Sequence, residues 1–171
     1  MNKKFLKMSI IFGLAVFLSA CQSPSEKVIE KVNENVIEKA IEDSMGGNTE
    51  VDLNEGNINI ETENGTMQAG QDVSLPDNFP SDVYVYEGKL AAVVFNEANN
   101  GFNLTIETKD VLDDIKSVYE NKLEEDGWVV NQSMNLGGVL YLGAEKNGRV
   151  ISITASQTDE TTMLVINVGN K

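Results

Sequence analysis

Residues 110–128, DVLDDIKSVYENKLEEDGW, decide how the rest of the chain is read. Val111, Leu112, Ile115, Val118, Tyr119 and Leu123 recur at three- and four-residue steps. That spacing puts them on one side of an α-helix. Asp110, Asp113 and Asp114 stand in its first turn, where a helix carries partial positive charge and favours acids. Gly127 can take the left-handed conformation that ends a helix. A helix with a single apolar stripe needs one apolar surface to lie on, and the flanking segments read as the strands that supply it.

Upstream, Val83–Tyr86 and Leu90–Phe95 read as one strand interrupted near Gly88. Asn99-Asn100-Gly101 turns the chain, and Phe102, Leu104 and Ile106 then alternate with Asn103, Thr105 and Glu107, the period of a strand with one buried face. Downstream, Trp128, Val130 and Met134 lead one strand and Val139–Glu145 forms the next. Asn147-Gly148 is a hairpin turn signal. Ile151, Ile153 and Ala155 alternate on the following strand, and Leu164, Ile166 and Val168 on the last. The order is β-β-α-β-β-β-β. The later links are too short for parallel crossovers, so the sheet is expected to be mostly antiparallel. The fold class is α+β: a two-layer domain over residues 75–171, with the sheet packed on one helix.

Leu75-Pro76-Asp77-Asn78-Phe79-Pro80 breaks regular structure, because each proline fixes φ and lacks an amide donor. We place a domain boundary there. Before it, Val51 and Leu53, then Ile58 and Ile60, alternate with polar residues, and Asn64-Gly65 signals a turn. Residues 48–74 read as a small β meander. DLNEGN, from Asp52, resembles a calcium loop only in part: Asp52 and Asn54 fit two ligand slots, but Gly56 takes the third and Gly65 falls late. Val28, Ile29, Val32, Val36, Ile37, Ala40 and Ile41 form an apolar stripe on an amphipathic helix, about Ser25 to Ser44, closed by Gly46-Gly47. That stripe is expected to rest on the folded domain or on lipid. The 28, 32, 36 spacing drifts from a strict heptad and argues less for a coiled coil.

The chain begins with Lys3, Lys4 and Lys7, followed by the uncharged run Met8–Leu18. That run is about 11 residues long, whereas a membrane-spanning helix needs about 20. A basic start, a short apolar middle and small residues at its close describe a secretory signal. Leu18-Ser19-Ala20-Cys21 resembles the lipobox of bacterial lipoproteins, with an aliphatic residue three before the cysteine and two small residues between. The resemblance implies a signal peptide over 1–20, cleavage between Ala20 and Cys21, and a diacylglyceryl group on the Cys21 thiol. Two acyl chains on one residue give a durable anchor where a single chain binds only marginally. Residues 21–47 would then be a lipidated N-terminus and amphipathic spacer. Gln22 stands where an Asp would tend to retain a lipoprotein at the inner membrane of a Gram-negative cell. The expected location is the cell membrane, lipid-anchored and facing the extracytoplasmic side.

A second resemblance covers roughly Val51 to Val168. Leu75-Pro76 and Phe79-Pro80 before a strand, with Tyr119, Leu123, Gly127 and Trp128 at fixed spacing, are similar to a widespread group of uncharacterised bacterial lipoproteins. That resemblance carries no activity. The shared residues read as structural, with Tyr119 and Leu123 one helical turn apart and Trp128 folding over the helix end. A ligand-stacking role for Trp128 is the alternative.

Composition narrows the chemistry. The 171-residue chain carries 27 acidic and 13 basic residues, a net charge of −14. Cleavage before Cys21 would remove three lysines and no acid. Such a chain does not suit nucleic acid, whose phosphates demand Lys and Arg, nor a flat approach to anionic lipid. The sequence has no histidine, which removes Ser-His-Asp catalysis and imidazole zinc sites. Its single cysteine is Cys21. Glycine patterns for nucleotides are missing, and no cofactor or metal is expected. Glu124, Glu125 and Asp126 crowd a helix end as solvated charge, and Lys116 and Ser117 are helix neighbours that do not face each other. The expectation is a non-catalytic binding or interaction module of the bacterial envelope. Its partners would be the membrane, through lipid on Cys21, and an envelope protein or glycan. The sheet face opposite the helix, with Asn103, Thr105, Glu107, Asn131 and Ser133, is the candidate surface. A calcium-stabilised surface module and a carboxylate-dependent envelope hydrolase are the alternatives.

Overall fold

The computed structural model describes residues 36–44, 48–54, 56–158 and 160–171. The signal segment, the lipobox and Cys21 lie outside the described residues, as does the first part of the spacer helix. The fold is α+β with a mostly antiparallel sheet. Residues 36–44 are helical (α1). The remaining elements are β1 Glu50–Asn54, β2 Asn57–Thr62, β3 Gly65–Ala69, β4 Lys89–Asn96, a 3-10 turn Glu97–Asn99, β5 Gly101–Thr108, α2 Leu112–Glu125, β6 Val129–Leu136, β7 Val139–Lys146, β8 Arg149–Gln157 and β9 Thr162–Asn170. They build one nine-stranded sheet in the order β1-β2-β3-β4-β5-β9-β8-β7-β6. β9, the last strand made, sits in the middle, between β5 and β8.

The Leu75–Pro80 segment lies between β3 and β4, and these two strands pair with each other. The meander and the later strands therefore share one sheet. The turn between β2 and β3 is Glu63-Asn64, one residue before the Asn64-Gly65 expected, because Thr62 pairs with Gly65. Gly65 is needed for a different reason: a Cβ there would lie 2.0 Å from the Phe95 carbonyl oxygen of β4. At the other hairpin, Asn147 and Gly148 both have positive φ, as a two-residue turn matching strand twist requires.

α2 covers one face of the sheet over β6, β7 and β8. Leu112, Ile115, Tyr119 and Leu123 are buried against Leu140, Leu142, Ala144, Ile151, Ile153 and Ala155. Val111 is not part of that face. It occupies the N-cap position in extended conformation and is exposed. The helix starts after Asp110, whose carboxylate accepts a 2.8 Å hydrogen bond from the Tyr86 hydroxyl. The far end closes as a Schellman motif: Trp128 N–H donates to Leu123 O at 2.8 Å and Gly127 N–H to Glu124 O at 3.0 Å. An isolated helix of this length is marginal in water. Each fully buried large apolar side chain contributes roughly 1.5–3 kcal/mol, so the four buried positions hold α2 in place.

The same face over β4 and β5 is covered by irregular chain. Val83–Tyr86, expected as strand, has no strand partner, yet Val83 and Tyr86 are buried. Tyr84 meets Tyr119 edge to face at 5.6 Å, and Tyr86 stacks on Tyr119 at 5.8 Å. Phe79 packs edge-on against Phe102 of β5. These ring contacts take the place of a ladder, and the alternation of Val83-Tyr84-Val85-Tyr86 mimics a strand without forming one.

The β1 edge of the sheet is covered in an unexpected way. Val51 N–H donates to Glu42 Oε1 at 3.3 Å and Leu53 N–H to Glu38 Oε1 at 2.9 Å. Two glutamates one helical turn apart thus satisfy edge amides that would otherwise invite another strand. The apolar stripe of α1 does not make this contact: Val36, Ile37 and Ala40 are exposed, and Ile41 is half-buried.

Tyr119 is fully buried, and its hydroxyl, close to the Tyr86 backbone, makes no hydrogen bond of good geometry. An orphaned buried hydroxyl costs about 1–3 kcal/mol. Tyr119→Phe is therefore expected to leave stability unchanged or raise it by about 1 kcal/mol, whereas Tyr119→Ala should cost about 3–5 kcal/mol. Urea melts of the two variants check this, and a strongly destabilised Tyr119→Phe would show that the hydroxyl has a partner.

Candidate functional site

The face opposite α2 carries a shallow open trough of about 540 Å³, within the size range of small-ligand sites. It runs across β5, β9, β8 and β7 to β6. Three strand residues on its lining have no side chain: Gly101, Gly143 and Gly169. A Cβ at Gly101 would lie 2.5 Å from Asn99 Oδ1, and one at Gly143 would lie 3.3 Å from Asn131 Oδ1. The glycines thus let asparagines from the 3-10 turn and from β6 lie over the strands. Glycine inside a strand weakens it and marks close approach of another group, here these carboxamides.

Carboxamides share the walls with apolar groups. Asn96, Asn99, Asn103, Asn131, Gln132 and Asn167 line the trough, with Asn170 at one end. Asn103 Nδ2 donates to Asn167 Oδ1, and Asn167 Nδ2 to Ser152 Oγ at 3.4 Å. This row crosses three adjacent strands and links the central amides to one another. Tyr141 of β7 is half-buried and presents the aromatic group of the site. Glu145 is the one carboxylate on the lining, and its Oε2 is 2.6 Å from Lys171 Nζ.

Of the expected surface, Asn103 and Asn131 line opposite ends of the trough, and Thr105 and Glu107 extend along the same face of β5 without lining it. Ser133 does not belong there. Its hydroxyl donates to Glu120 on α2 at 2.9 Å, and Asn135 donates to Asp113. The cause is a bulge in β6 between Val130 and Gln132. One extra residue reverses the alternation of side chains. Val130 and Ser133 therefore face the helix side, while Met134, expected to share a face with Val130, is exposed. Sequence reasoning missed Asn167, Ser152, Tyr141 and the glycines. A signal existed in the alternation for Tyr141, Gly143, Ser152 and Asn167, since each stands between buried residues of its strand; Gly101 and Gly169, at strand ends, carried none.

The other candidate residues are placed elsewhere. Trp128 is buried, and its Nε1 donates to Asp82 O at 3.1 Å, which makes it a core residue. Glu124, Glu125 and Asp126 are exposed at the end of α2, where Glu125 pairs with Lys122 and the Asp126 carbonyl accepts from Lys146. Lys116 pairs with Glu120, and the Ser117 hydroxyl donates to the Asp113 carbonyl, so the two side chains engage different groups. Asp52 and Asn54 lie on β1, paired with Asn59 and Asn57. Among the described residues no group of three or more His, Cys, Asp or Glu is placed to hold a metal ion. No helix among them is long and apolar enough to cross a membrane.

A family model described as START domain-like matches residues 91–162, from within β4 to the first residue of β9. This segment is similar to that family, and it holds α2 and most of the trough. No curated protein and no solved structure matches the chain.

Asp82 anchors the segment that crosses to β4. Its Oδ2 accepts from Arg149 Nη2 and from Lys146 Nζ, the latter at 2.7 Å. The Arg149 guanidinium also lies 5.0 Å from the Trp128 ring. Hydrogen bonding to Arg149, opposed by burial and reinforced by Lys146, holds the Asp82 carboxyl down at about 2. A depressed folded-state value stabilises the fold above the ordinary carboxylate range, and the gain is lost as pH falls through about 2. Asp82→Asn should therefore cost about 1 kcal/mol at neutral pH, a figure discounted for partial exposure to water. Thermal melts of both proteins should converge as pH falls from about 4 to about 2. A constant gap would place the effect outside this carboxylate.

Proposed function

We propose that this chain is a non-catalytic binding module of the bacterial envelope. A diacylglyceryl group on Cys21 holds it outside the cytoplasmic membrane, and it binds a protein or glycan partner through the sheet face opposite α2. The observation that carries the binding role is the trough. One face of the sheet is sealed by α2 and the aromatic segment, while the other holds an oriented row of amides around a concave surface. Such convergence of polar groups on a concavity is a mark of a ligand site. The address rests on Leu18-Ser19-Ala20-Cys21 and the signal-like start before it. An acidic body resists lying flat on anionic lipid, so two acyl chains at one end would tether it and leave the sheet face free.

The test is metabolic labelling with palmitate together with photocrosslinking in intact cells. The wild-type chain is expected to carry label and to sediment with membranes. Cys21→Ala should be unlabelled and either unprocessed or released. A crosslinker at Thr105 or Gln132 should capture one reproducible envelope partner, and the same probe at Val111 should not. A labelled or membrane-held Cys21→Ala would contradict the anchor. Identical captures from both faces would contradict the binding surface.

A further inference from the structure

Resting on the reading of the sheet face as a binding surface, we propose that the trough takes a neutral, polyhydroxylated ligand, a segment of an uncharged glycan chain.

The lining chemistry selects the class. Among the described residues no Lys or Arg lines the trough. A phosphate or carboxylate ligand would meet no cation on the lining, would find the bordering Lys171 already paired with Glu145, and would enter a protein of net charge −14. Anion sites are built from Arg, Lys or converging backbone amides. A cation would find one carboxylate, Glu145, already paired with Lys171, whereas hard cations take several oxygen ligands. An acyl chain would find only a shallow open trough in which carboxamides interrupt the apolar patches, and it would have to displace water from those amides without pairing them.

Carboxamides suit hydroxyl groups. Each Asn or Gln offers two donors and an acceptor, and each sugar hydroxyl is itself both donor and acceptor. The Asn103–Asn167–Ser152 row already links the central amides before any ligand arrives, and such prearrangement lowers the ordering cost of binding. Tyr141 supplies a flat apolar surface with a polar tip, suited to the C–H face of a sugar ring. Val94 and Val150 add small apolar patches.

The architecture also separates a glycan from a peptide. Extended peptides are bound by adding a strand to a free sheet edge, where backbone groups are unpaired. Most of the trough instead crosses β4, β5, β9, β8 and β7, each of which is paired on both sides, and its far end alone reaches the edge strand β6. Side chains, not backbone groups, are what these strands offer.

The test uses the full lipidated chain in a sugar-free detergent, with binding read by calorimetry. The probes are chitotetraose and cellotetraose, both neutral, a polyglycerol phosphate polymer, and an uncharged octapeptide. At least one tetrasaccharide is expected to bind at millimolar concentration or below and more tightly than the polymer or the peptide. Tyr141→Ala and Asn131→Ala alter half-buried and exposed side chains. Each should weaken that binding about tenfold, a loss of about 1.4 kcal/mol, with an unchanged circular dichroism melt. Saccharides that fail to bind, that bind both variants as well as the wild type, or that bind more weakly than the polymer or the peptide would overturn the proposal. If the Thr105 and Gln132 crosslinks still capture a single partner in cells, the ligand class alone falls. If they capture nothing specific, the binding reading falls with it.

Discussion

The burial of Tyr119 organises this protein. Its ring lies at the meeting point of the two pieces that seal one face of the sheet, α2 on one side and the Val83–Tyr86 segment on the other. A helix spanning Leu112–Glu125 cannot cover nine strands by itself. It covers β6, β7 and β8, and the aromatic segment completes the cover over β4 and β5. Buried residues of β5, β9, β8 and β7 then form one continuous core under that lid. Asp82, gripped by Arg149 and Lys146, ties the lid to the β7–β8 hairpin.

Sealing one face leaves the other to water, and that constraint shapes the candidate site. Residues on the open face must be compatible with solvent, but nothing in the fold requires them to be uncharged. In a chain with 27 acidic residues, a concavity lined by carboxamides and a single paired carboxylate is a departure from the general surface. The glycines at positions 101, 143 and 169 deepen the same area. Amide walls, absent side chains on the floor and a prearranged hydrogen-bonded row all fall within a few adjacent strands. That coincidence is why the proposed binding role falls on this face and not on the charged end of α2.

Much of the architecture was legible because it is local. The stripe Leu112, Ile115, Tyr119 and Leu123 and the alternation Phe102, Leu104 and Ile106 each report their own burial, and Asn147-Gly148 reports its own turn. The errors arose where a local pattern met a non-local demand. Val83–Tyr86 alternates as a strand does, but its tyrosines are held by the Tyr119 ring on α2, and no strand pairs with it. In α1 the stripe, expected to rest on the folded domain or on lipid, gave no sign that Glu42 and Glu38 would serve as acceptors for the edge amides of Val51 and Leu53. In β6 a single bulged residue reversed the parity, so Ser133 left the predicted surface and Gln132 joined it. The trough itself depends on β9 being inserted between β5 and β8, and no short window of sequence encodes that placement.

The central claim is that the central strands β5, β9, β8 and β7 have one sealed face and one wet face. Cysteine accessibility reads it directly, because Cys21, the chain's only thiol, would be capped by lipid. Single cysteines at Ser152 and Thr154, on the open face of β8, and at Ala144 and Ala155, on the covered face, change size little. Reaction with a charged maleimide is expected to be fast for Ser152→Cys and Thr154→Cys and to require unfolding for Ala144→Cys and Ala155→Cys. Equal rates at all four positions, or the opposite order, would contradict the account.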